Sequence, residues 1–414
     1  MKILINCFAC SPFKGSEPGM GWNFLKEISK EHDVTAIVTL NFKDDIEKYL
    51  KESREDINIK FYYVKEVKHN IIYKIYPPEF YWMYKKWQKD TYKLALELCK
   101  KEKFDIIHQL NMVGYREPGY LWKIKDIPFV WGPIGGFNIT PWQMLLQMGL
   151  YGTLFYGCRN IINLWQMYTM SRVKKAMKRA NAIIAATQDC KDRIKSLYKK
   201  DSTIIPEVGT VEHDYNEIPK RNDNEPLKIC WSGQHTPGKS LNLLIEALSI
   251  NKNLNIELHI IGNGRETKKW QVLAKKLGLK NLIWYSWVQR SQALEIMKRS
   301  HLFVITSMSD LTSTVLLEAL SYGLPVIAMD HCGFSNVING KCGIKIPIKN
   351  KKQVVEDLQK AIEFYYNNET ERFNASQNAK LRSNDYKWDN KLIILNEVYQ
   401  KAIEDFKKKD TKQD

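Results

Sequence analysis

The sequence predicts an α/β protein of two Rossmann-like domains, and three features predict it. Apolar runs of strand length, such as 302–305 and 325–328, alternate with segments whose apolar residues recur at helical spacing. Between those two runs lie a polar loop and a helix pattern (Val315, Leu316, Ala319, Leu320) stopped by Gly323, so the stretch reads as one βαβ unit. The alternation restarts at 227 after a polar stretch, and 414 residues exceed what one core organises.

Taken in order, 2–8 is an apolar strand, and a loop (SPFKGSEPGMGW) holds Gly15, Gly19 and Gly21. A helix carrying Trp22, Phe24, Leu25 and Ile28 follows, then a strand over 34–38. Glycines let backbone approach a ligand closely, but the G-x-G-x-x-G spacing of a dinucleotide site is absent. A third strand spans 59–64. The segment 73–103 interleaves Tyr, Trp and Lys. As a helix it must turn half its surface inward, so its aromatics are expected on the core, a membrane surface being the alternative. The strand 104–110 carries His108 at its carboxyl end, and 128–136 ends in Gly135 and Gly136, which remove side chains there. Helices over 138–179 are apolar first and then basic; an acceptor groove is favoured over a membrane-dipping face or plain core. A strand at 182–186 and a helix from Gln188 close this half, and 206–226 reads as a linker.

In the second half, strands are expected at 227–233, 257–262, 281–288, 302–305 and 325–328. The loop 234–240 precedes a helix over 241–248, and 351–406 is helical. The loop between 307 and 312 sits beyond a strand's carboxyl end, where open parallel sheets bind ligands. Thr312 and Ser313 are N-cap types, and the amides near Thr314 and Val315 open toward an anion. Asp310 in the loop and Glu318 in the helix frame that mouth with two carboxylates.

The formal net charge is +17, from 63 basic and 46 acidic residues, which points to phosphate-bearing, nucleic-acid or anionic lipid partners. No nucleic-acid motif accompanies the diffuse basicity. The eight cysteines form no disulfide or zinc framework; Cys7 and Cys10 are the one close pair, and all are expected to be reduced. No signal peptide and no membrane span are evident, so a cytoplasmic protein is expected, with the inner face of the membrane as a further location.

The ordered block Asp310…Glu318-Ala319…Gly323-Leu324-Pro325-Val326-Ile327 resembles the motif of the retaining GT-B glycosyltransferases of family 4, the glycosyl transferases group 1. That motif is an acidic residue, seven residues, Glu-Ala, then Gly-x-Pro-Val-Ile. The resemblance implies a GT-B fold, two Rossmann-like domains facing across a cleft. Residues 1–210 would form the acceptor-side domain, 211–226 the linker and 227–385 the nucleotide-sugar domain. Residues 386–414 would be a helix crossing back and a polar tail. It implies Asp310, His108 and Lys239 as the catalytic set, with Asp310 on the transferred sugar and His108 on donor sugar or acceptor. Glu318 would bind ribose, and the amides of Thr314 and Val315 the distal phosphate, with Ser313 among the donor-binding residues. Gly233, Gln234 and Lys239 would hold the diphosphate, Arg265 would approach the nucleotide, and Val288 the base. Glu17, Gly19, Gly135 and Gly136 would lie on the acceptor side.

The family usually has Glu where Asp310 stands and Arg where Gln234 stands, so one carboxylate is a methylene shorter and one phosphate fork is reduced to a single amide. Lys239 and the helix amides neutralise a departing diphosphate, so no metal and no cofactor beyond the nucleoside diphosphate sugar are expected. The implied partners are that donor, a saccharide or lipid-linked acceptor of bacterial surface polysaccharide synthesis, and an anionic membrane surface, with no nucleic acid. The alternatives are a sugar-nucleotide epimerase or phosphorylase, and a basic membrane- or nucleic-acid-binding module on the same fold.

Overall fold

The computed structural model describes residues 1–53, 55–66, 79–210, 213, 217–250 and 252–410. The opening of the aromatic–basic segment (73–78), parts of the expected linker (211–212 and 214–216) and the tail 411–414 lie outside the described residues. The chain divides into two units. The first holds 1–137, 166–207 and 388–414, and the second holds 138–165 and 208–387.

The first unit carries a seven-stranded parallel sheet in the order β3-β2-β1-β4-β5-β6-β7. Its strands are β1 (Lys2–Cys7), β2 (Asp33–Thr39), β3 (Ile59–Val64), β4 (Ile106–Asn111), β5 (Phe129–Ile134), β6 (Ala182–Ala185) and β7 (Thr203–Ile204). Its helices are α1 (Ser16–Ile28), α2 (Lys43–Glu52) and α3 (Glu79–Lys101), then α5 (Ser171–Arg179), α6 (Gln188–Tyr198) and α14 (Trp388–Asp410); α4 (Gly149–Thr169) lies mostly in the second unit. The central strands are buried on both faces; β5 reads as an apolar run, whereas β1 and β4 bury Asn6, His108, Gln109 and Asn111 among their apolar residues. In α3, Tyr84 and Trp87 are buried and Trp82 faces solvent.

The second unit repeats the winding with six parallel strands in the order β10-β9-β8-β11-β12-β13. They are β8 (Leu227–Ser232), β9 (Ile256–Ile261), β10 (Leu282–Tyr285), β11 (Leu302–Ile305), β12 (Val326–Met329) and β13 (Gly343–Ile346). Among the described residues, the helices that join or flank them are α7 (Leu241–Ile250), α8 (Thr267–Lys276), α9 (Arg290–Lys298), α10 (Thr314–Ser321), α11 (Phe334–Val337), α12 (Lys351–Asn367) and α13 (Glu369–Asn384). One core cluster includes Leu244, Leu258, Val304 and Leu358, with Met144, Met148 and Tyr156 from the 138–165 segment. A second holds Phe303, Leu316, Leu320, Val326 and Phe334. The expected linker is strapped to this unit, since Pro219 O accepts from Arg372 at 2.8 Å and Tyr366 O from Arg221 at 2.7 Å.

Three expectations are corrected. The glycine-rich loop is shorter than its composition suggests, because α1 begins at Ser16 and takes in Glu17, Gly19 and Gly21. Those glycines answer close packing: a Cβ at Gly19 would overlap the Lys14 carbonyl, and one at Gly21 the Ala9 carbonyl. Ser313 occupies the N-cap of α10 with φ +72° and makes no side-chain capping bond. His108 lies in the core rather than at an accessible strand end, as described below.

Candidate active site

In each sheet the winding direction reverses beside the first strand, between β1 and β4 and between β8 and β11. Ligands of open α/β sheets bind beyond the strand ends at that reversal. In the second unit, the loops that follow β8 and β11 hold the charged residues singled out above.

The loop after β8 is fixed through backbone contacts. Gly233 N donates to Ile261 O at 3.1 Å and His235 N to Asn263 O at 3.0 Å. Gly262, at φ +121°, and Gly264 have no room for a side chain against Gly233 and His235. A 3₁₀ turn, Pro237–Lys239, then delivers Lys239. Its carbonyl accepts from Thr306 Oγ1 at 2.7 Å, and Gly238 O accepts from Met308 N at 2.8 Å, which ties this loop to the one after β11. The Lys239 ammonium is ion-paired with Asp310. The two residues come from strands that are neighbours in space but far apart in sequence.

Asp310 also accepts from the Leu311 amide at 3.1 Å through its other oxygen. Its carbonyl accepts from Asn138 at 3.2 Å, and Ser309 Oγ accepts from Arg159 at 2.8 Å. The chain then turns through Ser313 into α10, whose first amides, including Thr314 and Val315, have no acceptor inside the helix. A positive φ at a non-glycine residue is held only where its surroundings impose it, and such residues concentrate at ligand sites. Glu318, in the same helix, accepts from Arg290 at 3.1 Å (Nε) and 2.6 Å (Nη2). Burial holds the Glu318 carboxyl above its usual range, and the Arg290 guanidinium pulls it partly back.

Lys239 and Asp310 are thus brought together, with Gly233 in one loop and Ser313, Thr314, Val315 and Glu318 following in the other. Gln234 is exposed one residue past Gly233. Val288 is half-buried just before α9 and packs on the second core cluster. Arg265 is drawn aside, its guanidinium 3.5 Å from the Tyr151 ring. Sequence reasoning missed Arg290, which opens α9 two residues past Val288, and missed Asn138 and Arg159, which brace the Asp310 loop. Arg290 carries a signal, an arginine at a helix start beside the expected base position. The other two are long-range contacts with no local signature. Among the described residues no group of three or more His, Cys, Asp and Glu side chains is arranged to hold a metal.

In the first unit Glu17 accepts from the Val113 amide at 2.5 Å, and Val113 O accepts from Gly135 N at 2.7 Å. Glu17 and Gly135 therefore meet at the β1–β4 reversal, with Gly136, at φ +84°, beside them. Burial raises the Glu17 carboxyl, and the Val113 amide opposes it. Gly19 sits one turn into α1, against the Lys14 carbonyl. His108 does not join this group. Its Nε2 donates to Gly132 O at 2.7 Å, its Nδ1 accepts from Tyr399 Oη at 2.8 Å, and it has no exposed surface. Burial pushes it down to about 4, so the ring is neutral and serves packing between β4, β5 and α14.

Residues 214–382 match the family model described as "Glycosyl transferases group 1". A lipopolysaccharide 1,6-galactosyltransferase of Escherichia coli K12 is 28% identical over 174 residues, which are 40% of this chain and 48% of that protein. The chain therefore spans about half the length of that curated relative. Among solved structures, a glycosyltransferase from Rickettsia africae superposes with a TM-score of 0.65 at 16% identity, covering 97% of this chain and 98% of that one. Anabaena HepE in complex with UDP gives 0.62 at 15% identity, covering 97% and 100%. Residues 214–382 thus carry a glycosyl transferases group 1 region, and the chain has the GT-B fold of two parallel α/β sheets.

Proposed function

We propose that this enzyme transfers a sugar, with retention at the anomeric carbon, from a nucleoside diphosphate sugar to a hydroxyl of a saccharide acceptor in surface polysaccharide synthesis. The observation that carries it is the Lys239–Asp310 ion pair at the reversal point of the second sheet, beside the open amides of α10. An ion pair that leaves each partner about a fifth exposed can be exchanged for a ligand. Lys239 turns to the diphosphate, the Thr314 and Val315 amides take its distal phosphate, and Asp310 is released to hydroxyls of the transferred sugar. Glu318 gives up Arg290 for the ribose hydroxyls, and Arg290 supplies a guanidinium near the diphosphate where Gln234 cannot. Charge developing on the departing diphosphate then meets donors already in place, which is where electrostatic catalysis is largest. The bond from anomeric carbon to diphosphate oxygen breaks, and the acceptor oxygen bonds that carbon on the same face. The acceptor proton leaves on the diphosphate.

Glu17 and the backbone around Gly135 and Gly136 are assigned to the acceptor. The Escherichia coli relative, named for a lipopolysaccharide, supports a lipid-linked saccharide acceptor, and HepE with UDP supports a uridine diphosphate donor. A lipid-linked acceptor would place the enzyme in the cytoplasm at the inner face of the membrane. The test is release of sugar and nucleoside diphosphate from a panel of nucleotide sugars, alongside thermal shifts with uridine and guanosine diphosphates. Turnover of a uridine diphosphate sugar and a larger shift with uridine diphosphate are expected. Absence of turnover with every donor, together with no shift from either diphosphate, would contradict the assignment.

A further inference from the structure

The 3₁₀ turns at Trp142–Met144 and Leu146–Met148 and the part of α4 up to residue 165 are inside out. Toward the second unit's body α4 presents Gly152, Tyr156, Asn160 and Asn163. Asn160 bonds the Thr140 backbone at 3.0 and 2.8 Å, and Asn163 the Asn138 carbonyl at 3.2 Å. Toward solvent it presents Leu150, Leu154, Phe155, Ile161 and Trp165, with Leu146 just ahead. Leu150, Leu154, Ile161 and Trp165 recur at i, i+4, i+11 and i+15, so they form one stripe, with Phe155 at its flank. Leu146 is 84% exposed, Leu150 80% and Trp165 64%. A contiguous apolar stripe of this size on a water-facing helix marks a surface that is covered in use.

Charge selects the cover. Residues 127–188 contain no Asp or Glu and six Lys or Arg. Beside the stripe lie Arg265, stacked on Tyr151 at 3.5 Å, Lys269, against Gly149, and Arg159 on the helix itself. The carboxylate among them, Glu266, is buried and held by Lys269 at 3.3 Å and Arg265 at 3.8 Å. A second copy of a chain at +17 would be repelled, and a saccharide has no use for bare Leu and Ile. An apolar stripe with Trp and Tyr among its rings, on a segment free of acids and rimmed by cations whose neighbouring Glu266 is already paired, has the composition of a helix lying in a bilayer interface.

We propose that the outer face of residues 142–165 docks on an anionic lipid surface, with Leu146, Leu150, Leu154, Ile161 and Trp165 in the headgroup–acyl boundary and Arg265 and Lys269 on phosphates. The inner face of the same segment braces the catalytic loop. A Cβ at Gly152 would lie 2.9 Å from Pro237, and one at Gly238 would overlap the Tyr156 hydroxyl, so the docked helix carries the turn that holds Lys239. The inference stands without the sugar-transfer assignment, and its readout is lipid binding rather than activity.

The experiment is flotation with vesicles of phosphatidylcholine alone and of phosphatidylcholine with phosphatidylglycerol. Wild type is expected to float with the anionic vesicles, less so with neutral ones and less so in high salt. A Leu150→Ser/Leu154→Ser/Ile161→Ser variant is expected to bind roughly a hundredfold more weakly with its melting temperature kept. Leu381→Ser, on an exposed residue of α13, should bind as wild type does, and Lys269→Gln should bind less tightly with a weaker salt dependence. Cys158 is an exposed cysteine on the stripe, so an environment-sensitive fluorophore placed there in a Cys99→Ser background should shift to the blue on anionic vesicles. Equal flotation of wild type and the triple variant, or no flotation with either vesicle, would overturn the proposal. So would a wild-type dimer in sedimentation velocity that the triple variant loses, which would assign the face to a second copy.

Discussion

The two sheets wind alike, yet their reversal points are furnished differently. In the first unit the polar groups there are locked to one another. Asn6 donates to Gln88 at 2.7 Å and Gln109 at 3.1 Å, Gln109 donates to Asn111 O at 3.0 Å, and Asn111 donates to Ala9 O at 2.8 Å. Tyr84 and His108 close the same region with both of their partners inside the unit. In the second unit the corresponding place is occupied by part-exposed ion pairs, Lys239 with Asp310 between two loops and Arg290 with Glu318 between α9 and α10. A buried neutral network specifies structure, because any member left unpaired costs its full desolvation. A part-exposed ion pair is worth little by itself and is free to be exchanged. One winding therefore yields a braced support in the first unit and a site that can accept an anion in the second.

The comparison breaks most visibly at Lys239. Lys239→Ala should lower kcat/KM for the nucleotide sugar by about 10²–10³-fold while costing little stability; steady-state kinetics beside urea unfolding checks both. A change confined to stability would place Lys239 with the structural groups instead.

Acid should act on buried histidines of both units. His108, His235 and His301 are each pushed down to about 4, chiefly by burial, so the folded state holds them neutral. The unfolded chain binds a proton near pH ~6.5, so stability is full above that and falls toward pH ~4, by on the order of 3 kcal/mol for each ring. Urea midpoints at pH ~7 and ~5 are expected to differ by well over 1 kcal/mol in unfolding free energy, and equal midpoints would contradict the burial of these rings. Asn111→Ala, in the first unit's network, should cost about 1–3 kcal/mol in urea and leave uridine diphosphate affinity unchanged. The smallest effect is a gain. Gln234→Arg should tighten diphosphate binding by roughly threefold to tenfold in calorimetry, because it adds a fork of charged donors beside Gly233.

Much of this architecture was legible in the chain itself. β11 is buried throughout and shows as an apolar run, and β3, a half-buried edge strand, also falls where the sequence places it. The meeting of Lys239 with Asp310 was also legible, since both follow strands at a reversal point. What hid from the sequence was contact between distant segments. The start of α1 was masked by glycines that serve tight packing against Lys14 and Ala9. β7 is two residues long, and β13 includes Gly343 and Lys345, so neither announces itself. His108 sits at a strand end, as a ligand would, and is taken into the core by Tyr399, 291 residues further on. The outward stripe of α4 has the same spacing as a buried face, so periodicity alone could not say which way it points.

The central claim is that the second reversal point receives a nucleoside diphosphate, with Glu318 on the ribose. Titration calorimetry of uridine diphosphate and of inorganic pyrophosphate with wild type and Glu318→Ala tests it most directly. The expected result is a loss of about tenfold or more in uridine diphosphate affinity with pyrophosphate affinity kept. Undiminished uridine diphosphate binding to Glu318→Ala would contradict it.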